Sequence, residues 1–298
     1  MANETKDEAH RLLTALDERG HETVGLSPVG VRPPLGTYLQ QLWERRHFIW
    51  MDARHRVATQ NSRNRLGNLW LLLRPLLDAA MYYVVFALIL KVDRGMENFP
   101  AFLIIGVLMF RSTMRSFSTS PQLLHSGKAM IRAFSFPRAS LVLSAEIRDS
   151  MQMVYTVAMV ILMIMVIPPF ERPELTWFLV PVIFAFQFVL NLGISLVLAR
   201  VGFIFPDTAQ LMGLVGRFMM YGSGVMFPID RFLDNPAATA IIQANPVYHM
   251  LQMYREVLID GTVPGIGSWL ILGSWAGALT LFGFLFFWRG EATYGGGQ

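Results

Sequence analysis

The sequence predicts an all-α membrane protein with six transmembrane helices, an N-terminal interfacial amphipathic helix, and re-entrant outer gate helices between spans five and six. Hydrophobic residues make up 53% of the 298 residues and charged residues only 15%, against about 25% charged residues in ordinary soluble domains. The apolar residues are gathered in six segments, and about 20 apolar residues suffice to cross a bilayer as a helix. These segments are residues 70–90, 100–120, 146–168, 175–198, 208–227 and 268–288.

Residues 1–66 form the predicted cytoplasmic N-terminal region, and residues 67–298 form the transmembrane domain. Within the first region, residues 36–56 mix aromatic and aliphatic side chains with arginines. This pattern is typical of an amphipathic helix at the inner membrane interface, with rings among the headgroups and arginines facing anionic lipid. A soluble helix packed on a partner protein is the alternative. The polar first forty residues contain no apolar core with a cleavage site, so no signal peptide is predicted.

The distribution of Lys and Arg predicts that both termini are cytoplasmic, since inner segments of membrane proteins are enriched in these residues. Ten basic residues precede residue 70. Six more fall in the later inner segments, namely Lys128, Arg132, Arg138, Arg148, Arg200 and Arg289. The outer segments hold only Lys91, Arg94, Arg172, Arg231 and Arg255.

Several charged residues fall inside the predicted spans, where each costs about 2.5–3.5 kcal/mol on insertion scales and should face protein or water. Arg74 and Asp78 are four residues apart in the first span and can pair across one helical turn. Arg111 and Arg115 share one face of the second span, and Arg217 lies in the fifth. These last three, termed the path arginines, have no acidic residue close in sequence. They are predicted to line an aqueous, anion-tolerant path, or else to snorkel towards the interface.

Residues 121–145 form an inner loop in which Ser126 and Gly127 could begin a short helix that Pro137 would end. Such a loop is either a docking element for another protein or a plain connector. In the fourth span, Gln187 and Asn191 share a face and are expected to bond neighbouring helices.

The fifth and sixth spans are separated by residues 228–267, which prolines divide into short pieces that are too apolar for a solvated loop. Two short helices that dip into the outer leaflet would bury the apolar faces, and re-entrant backbone is tolerated only against protein or a water-filled path. An extracellular cap domain is the alternative. Asp207 and Gln210 resemble a capping box before the fifth span, and Gly273 with Gly277 could allow close helix packing in the sixth.

The sequence lacks the motifs of common catalytic and metal sites. The chain has no cysteine, which excludes disulfides, thiolate metal sites and cysteine nucleophiles. It has neither a GxxxxGK[ST] phosphate loop nor an HExxH motif, and its six histidines show no metal-ligand spacing. We therefore predict no catalytic residue, metal site or cofactor in this chain. Its net charge of +4 reflects membrane topology, so no nucleic-acid partner is expected.

A series of short motifs follows in order along almost the whole chain. The motifs are residues 63–70 (RNRLGNLW) with 74–76, 99–106 (FPAFLIIG), 136–138 after Lys128, 205–207, 221–228, 245–246 and 254–255. Together they resemble the membrane subunit of type-2 ABC exporters, in the polysaccharide, O-antigen and teichoic-acid branch. At 205–207 this family usually has an Arg-Asp pair, and this arginine is missing here.

The resemblance implies a pore made of two copies of this chain, with two separate cytoplasmic ABC ATPase subunits that bind ATP and Mg. Closure of the ATPases would move the inner loop and the interfacial helix, and a lipid-linked polysaccharide would cross the bacterial plasma membrane among membrane lipids. A mycobacterial-type galactan, an O antigen and a teichoic acid are all compatible substrates.

The resemblance also implies three groups of site residues. The ATPase-coupling loop would use Ser126, Lys128, Met130, Ile131 and Arg132. The outer gate would use Pro228, Asn245, Pro246, Tyr254 and Arg255. The translocation path, where aromatic rings suit sugars, would use Tyr82, Tyr83, Phe86, Phe110, Arg111, Arg115, Arg217, Phe218 and Tyr221.

Two other functions stay open. A drug- or lipid-exporting permease of the same superfamily would share these motifs. A secondary transporter would favour internal repeats and ionisable coupling residues at broken helices. The sequence has no convincing repeat, and it has no isolated intramembrane Asp or Glu apart from Asp78 near a boundary.

Overall fold

The computed structural model describes residues 33–62, 64–89, 98–134, 136–168, 170–226, 228 and 236–294. Within these ranges every regular element is helical, which confirms the predicted all-α membrane protein. The predictions for residues 1–32, and the basic residues Arg63, Lys91, Arg94 and Arg231, lie outside the described residues. The α-helices are α1 Leu35–Glu44, α2 Arg46–Thr59, α3 Trp70–Tyr82, α4 Phe99–Thr119, α5 Leu123–Ser126, α6 Lys128–Ala133, α7 Ala139–Val166, α8 Val180–Ile204, α9 Thr208–Gly222, α10 Pro236–Gln243, α11 Pro246–Leu258 and α12 Ile266–Arg289.

Five helical stretches in the described ranges are long and apolar enough to cross a membrane. They are Gly67–Phe86, Phe99–Ala133, Ala139–Val166, Leu175–Ile204 and Ile266–Arg289. They correspond to the first four predicted spans and the sixth. The fifth predicted span forms α9, whose 15 residues reach about 22 Å at 1.5 Å per residue, less than the ~30 Å hydrocarbon core. A sixth span therefore stays a prediction.

The predicted interfacial helix consists of two helices, because the backbone breaks at Arg45 between α1 and α2. One side of each helix is buried at a spacing of four residues, with Tyr38 and Leu42 on α1, and α2 packs against α7. The other side exposes large apolar side chains, namely Leu39, Trp43, Phe48, Trp50 and Met51. This exposed side is the one to which the interfacial prediction applies.

A main apolar core joins α4 and α11 to the buried faces of α7, α8 and α12. Helices α8 and α12 approach closely, since a Cβ added to Gly283 would lie 2.7 Å from the carbonyl oxygen of Gly193. Only glycine permits such backbone contact. The predicted Gly273–Gly277 contact is wrong for Gly277, since a Cβ there would meet nothing within 4 Å.

Two short helices, α10 and α11, occupy the segment between the fifth and sixth predicted spans. Helix α11 is largely buried and packs against α4, α8 and α12. Its depth in the bilayer stays a prediction. Before α9, Asp207 makes no side-chain cap, so the predicted capping box is wrong, and the Thr208 hydroxyl instead donates to the carbonyl oxygen of Phe205 at 2.6 Å.

Candidate functional site

A cavity of about 770 Å³ opens between α2, α3, α4 and α7, within the 300–1,000 Å³ that is typical of ligand sites. It lies at the end of α4 that leads into the inner loop, since Arg115 and Thr119 line it. Its charged lining residues, which define the arginine cavity, are Arg56, Arg74, Arg111, Arg115, Arg148 and Asp149.

Arg111 and Arg115 both line this cavity, and both are paired with residues of other helices. Arg111 forms an ion pair with Asp78 of α3. Arg115 donates to the side-chain oxygen of Gln152 on α7 and lies 3.8 Å from Asp149. The partners are close in space but more than thirty positions away in sequence, so the absence of an acidic residue close in sequence did not reveal them.

The predicted pair between Arg74 and Asp78 is not formed, because Asp78 bonds to Arg111 across the α3–α4 contact. Arg74 instead lines the cavity and has no acidic partner among the described residues. The other arginines of the cavity have carboxylates nearby, with Arg56 2.9 Å from Asp52 and Arg148 3.1 Å from Asp149. Asp149 serves both Arg115 and Arg148, so the cavity keeps a positive surplus.

Two acidic residues, Glu146 and Asp149, are buried on α7 within a stretch long and apolar enough to cross a membrane. The prediction that Asp78 is the one acidic residue of this kind is therefore wrong. Asp149 faces the arginine cavity, and Glu146, 3% exposed, accepts hydrogen bonds from Ser116 at 3.0 Å and from Ser195. The helix begins at Ala139, seven residues before the predicted span. This early start places both carboxylates inside the helix bundle, whereas the sequence pattern placed them at its edge.

The remaining predicted path residues do not gather at this cavity. Arg217, Phe218 and Tyr221 lie on an exposed face of α9, where the Phe218 side chain is 71% exposed. Phe110 is buried in the main core. The residues at the end of the first span, Tyr82, Tyr83 and Phe86, are partly buried against that core. Their role in a path stays a prediction.

The predicted coupling loop contains two short helices, α5 and α6. Ser126, Lys128 and Arg132 are exposed on them, and Met130 is half-buried. Ile131 is buried in a second apolar cluster, which also contains Tyr38 of α1 and Phe287 of α12. The buried Ile131 side chain thus holds the loop against the helix bundle. The polar and basic side chains of Ser126, Lys128 and Arg132 are exposed on the opposite side of the loop.

A buried polar network beside this cluster, termed the Glu291 clamp, consists of Tyr38, Arg138 and Glu291. The Tyr38 hydroxyl donates to Glu291 at 2.8 Å and accepts from the backbone N–H of Ala139 at 3.2 Å. The backbone N–H of Arg138 also donates to Glu291 at 2.8 Å, and its guanidinium lies 3.3 Å away. Burial raises the pKa of both Glu291 and Tyr38. The clamp joins α1, the end of the inner loop and the segment after α12.

The predicted gate residues fix α11 in place. Asn245 accepts a capping hydrogen bond from the backbone N–H of Val247 at 2.9 Å and donates to Ser223 at 2.9 Å. Pro246 is the first residue of the helix, as its missing N–H favours. Pro228 is partly buried. This set connects the start of α11 to the end of α9.

Tyr254 and Arg255 connect α11 to the spans. The Tyr254 hydroxyl donates to Gln187 of α8 at 2.9 Å, and Gln187 donates to the Met109 carbonyl oxygen of α4 at 3.2 Å. The expected role of Gln187 in bonding helices together is confirmed by these contacts. The buried guanidinium of Arg255 donates to the Val225 carbonyl oxygen at 3.0 Å.

Comparison with known proteins identifies the family. Residues 54–259 match the family model described as ABC-2 type transporter, a range that includes the arginine cavity, the coupling loop and α11. The O-antigen export system permease protein RfbA of Klebsiella pneumoniae is 26% identical over 198 residues, 66% of this chain and 74% of that protein. Its counterpart from Myxococcus xanthus is 19% identical, over 76% of this chain and 85% of that protein.

The polysialic acid transport protein KpsM of Escherichia coli is 22% identical over 208 residues, 70% of this chain and 79% of that protein. All these matches extend over most of both chains. Because the family model matches more than half of its residues, this multi-pass membrane protein belongs to the ABC-2 type transporter family.

Proposed function

We propose that this chain is the permease subunit of an ATP-driven exporter that moves a lipid-linked polysaccharide across the bacterial plasma membrane. The observation that carries the proposal is the similarity to permeases of O-antigen export and to a polysialic acid transport protein, over 66–76% of this chain. Membership of the ABC-2 type transporter family supports the transport class. The cargo would be a galactan, an O antigen or a teichoic acid.

Energy for transport would come from a separate protein, because the sequence has no phosphate loop for ATP. Two ATPase subunits carrying ATP and Mg would dock on the coupling loops of two copies of this chain. The exposure of Ser126, Lys128 and Arg132 above the buried Ile131 supports this assignment. Both termini would then be cytoplasmic, on the side of the loop.

The polysaccharide path would form between the two copies, beside the exposed ring faces of α9. Phe218 and Tyr221 are exposed at a spacing of three residues, which places them on the same side of the helix. Aromatic rings pack on the apolar faces of sugars, so this surface suits a sugar chain. We assign Phe218 and Tyr221 to the path, together with Tyr82, Tyr83 and Phe86 at the end of the first span.

Depletion of the chain in its native host tests the proposal. Lipid-linked polysaccharide should accumulate on the inner face of the plasma membrane and disappear from the outer surface, and re-expression should restore it. The ATPase should co-purify with the chain, while the rigorously purified single chain should hydrolyse no ATP. Unchanged surface polysaccharide together with altered drug resistance or phospholipid distribution would contradict the proposal and favour a drug or lipid exporter.

A further inference from the structure

We propose that the arginine cavity binds the phosphate group of a lipid headgroup. The cavity lies within one copy of the chain, between α2, α3, α4 and α7, and not on the exposed face of α9 that we assign to the sugar path. The phosphate could belong to a bilayer phospholipid or to the lipid end of the exported polysaccharide. Only the second of these sources rests on the proposed function.

The charge balance of the cavity favours an anion. Its five arginines are opposed by three carboxylates, those of Asp52, Asp78 and Asp149. Arg74 lines the cavity without an acidic partner in the described part of the chain. A guanidinium can donate two parallel hydrogen bonds to one phosphate. Arg74 is therefore the cavity arginine whose donors are least engaged within the described residues, and it is the first candidate to bind a ligand.

The arginines of the cavity lie well inside the helices that carry them. Arg111 lies eight residues before Thr119, the end of α4, a rise of about 12 Å. Arg148 lies nine residues after Ala139, the start of α7, or about 14 Å. At such positions in a membrane-spanning helix, charged side chains require water or an opposite charge.

The lining also contains both polar and apolar side chains, which favours a lipid over a free ion. Hydroxyl and amide groups that can bond phosphate oxygens are those of Gln60, Asn61, Asn64, Ser112, Thr119, Gln152 and Thr156. Apolar side chains that suit the start of a hydrocarbon chain are Trp70, Leu71, Leu108 and Met153. The volume of about 770 Å³ exceeds what a single phosphate ion fills.

Helix α2 closes the cavity through direct contacts with α7. The amide of Gln152 donates to the side-chain oxygen of Gln60 at 2.5 Å, and Gln152 also accepts from Arg115. This chain of contacts connects the N-terminal helices to Arg115 inside the cavity. A phosphate bound by the arginines would therefore be held by α2 as well as by the spans.

Binding to the purified full-length chain in an uncharged detergent tests the proposal by native mass spectrometry. The probes are dioleoyl phosphatidylglycerol and a polyprenyl diphosphate, and the matched probes without phosphate are dioleoylglycerol and the polyprenol. Both phosphate-bearing lipids should bind, and the phosphate-free lipids should not. Because the assay involves no transport, its result is independent of whether the protein exports polysaccharide.

The variant Arg74→Gln should weaken binding about tenfold, as expected for the loss of hydrogen bonds from a charged donor. Arg74 has no ion pair, so its replacement leaves no buried carboxylate alone. Arg74→Lys should retain part of the affinity, since it keeps the charge but loses the fork. The control is Arg46→Gln, which removes an equal charge from α2 outside the cavity, where Arg46 contacts Trp43.

A second variant, Ser112→Leu, fills the cavity without changing its charge and should also weaken binding. Thermal unfolding without lipid identifies any variant that fails to fold. The comparison of phosphate-bearing with phosphate-free lipids uses the wild-type chain and does not depend on any variant. Competition between equal concentrations of the two phosphate lipids distinguishes the sources: preferential binding of the polyprenyl diphosphate would assign the site to the exported lipid, and preferential binding of phosphatidylglycerol would assign it to a bilayer phospholipid. Equal binding of phosphate-free lipids, or equal losses in Arg74→Gln and Arg46→Gln, would overturn the proposal.

Discussion

The Glu291 clamp should hold α1 against the start of α7, and the variant Tyr38→Phe measures how strongly. The Tyr38 side chain is fully buried, and phenylalanine keeps its ring but removes two hydrogen bonds. The bond to the Glu291 carboxylate is worth about 1.5–3 kcal/mol, and leaving the Ala139 amide without an acceptor costs about 1–3 kcal/mol. The two bonds share one oxygen and are not additive. We expect a loss of about 2–4 kcal/mol.

Hydrogen exchange of the detergent-solubilised chain is the assay, because the effect is local to α1. At about 1.4 kcal/mol per factor of ten, amides of Leu35–Glu44 should exchange roughly 30-fold to 1,000-fold faster. The control is Tyr155→Phe, because the Tyr155 hydroxyl has no hydrogen bond among the described residues and its side chain is partly exposed. Equal exchange in wild type and Tyr38→Phe, or an equal effect of the control, would refute the reasoning.

Three further predictions concern the loop, the path arginines and pH. Replacing Lys128 and Arg132 together by Glu should uncouple export from ATP hydrolysis or prevent ATPase binding. The control variant Lys128→Arg with Arg132→Lys should preserve coupling and binding. Unchanged coupling in the Glu variant would count against the docking assignment. Cysteines at the path arginines, in a chain without native cysteine, should react with a water-soluble thiol reagent, because Arg111 and Arg115 line a cavity and Arg217 is exposed on α9; protection at all three would contradict access of water to these positions. Because burial raises the pKa of Glu291, the stability that it contributes is complete below its unfolded pKa and is lost as pH rises through its folded pKa. Glu291→Gln should flatten this pH dependence of the unfolding free energy, and an unchanged slope would contradict it.

The apolar segments predicted the ends of two spans closely. Helix α4 runs from Phe99 to Thr119 against a predicted 100–120, and α12 from Ile266 to Arg289 against 268–288. The third span begins seven residues early at Ala139. Its first turns carry Ser140, Ser144 and Glu146, which lower local hydropathy although all three are buried.

Contacts between helices could not be predicted by the same means. A spacing of four residues identifies partners within one helix, and it therefore favoured a pair between Arg74 and Asp78. The actual partner of Asp78, Arg111, lies 33 positions away. Glu291 and Tyr38 are even further apart, and neither belongs to a recognisable motif. The short helix in the inner loop, in contrast, could be predicted from local sequence, since Ser126 and Gly127 are expected to begin it and α6 begins at Lys128; the coupling role of its residues stays a prediction.

The Tyr38–Glu291 hydrogen bond joins residues 253 positions apart, which has a consequence for biosynthesis. The ribosome releases α1 first, and Glu291 emerges only after every span has been made. Until then Tyr38 of α1 lacks its buried partner, so the Glu291 clamp beside the coupling loop is completed last. A nascent chain arrested before Glu291 should leave α1 open to protease, and protection at that stage would disprove this order. If an ATPase requires the complete Glu291 clamp for binding, it would assemble only with chains whose synthesis has passed residue 291.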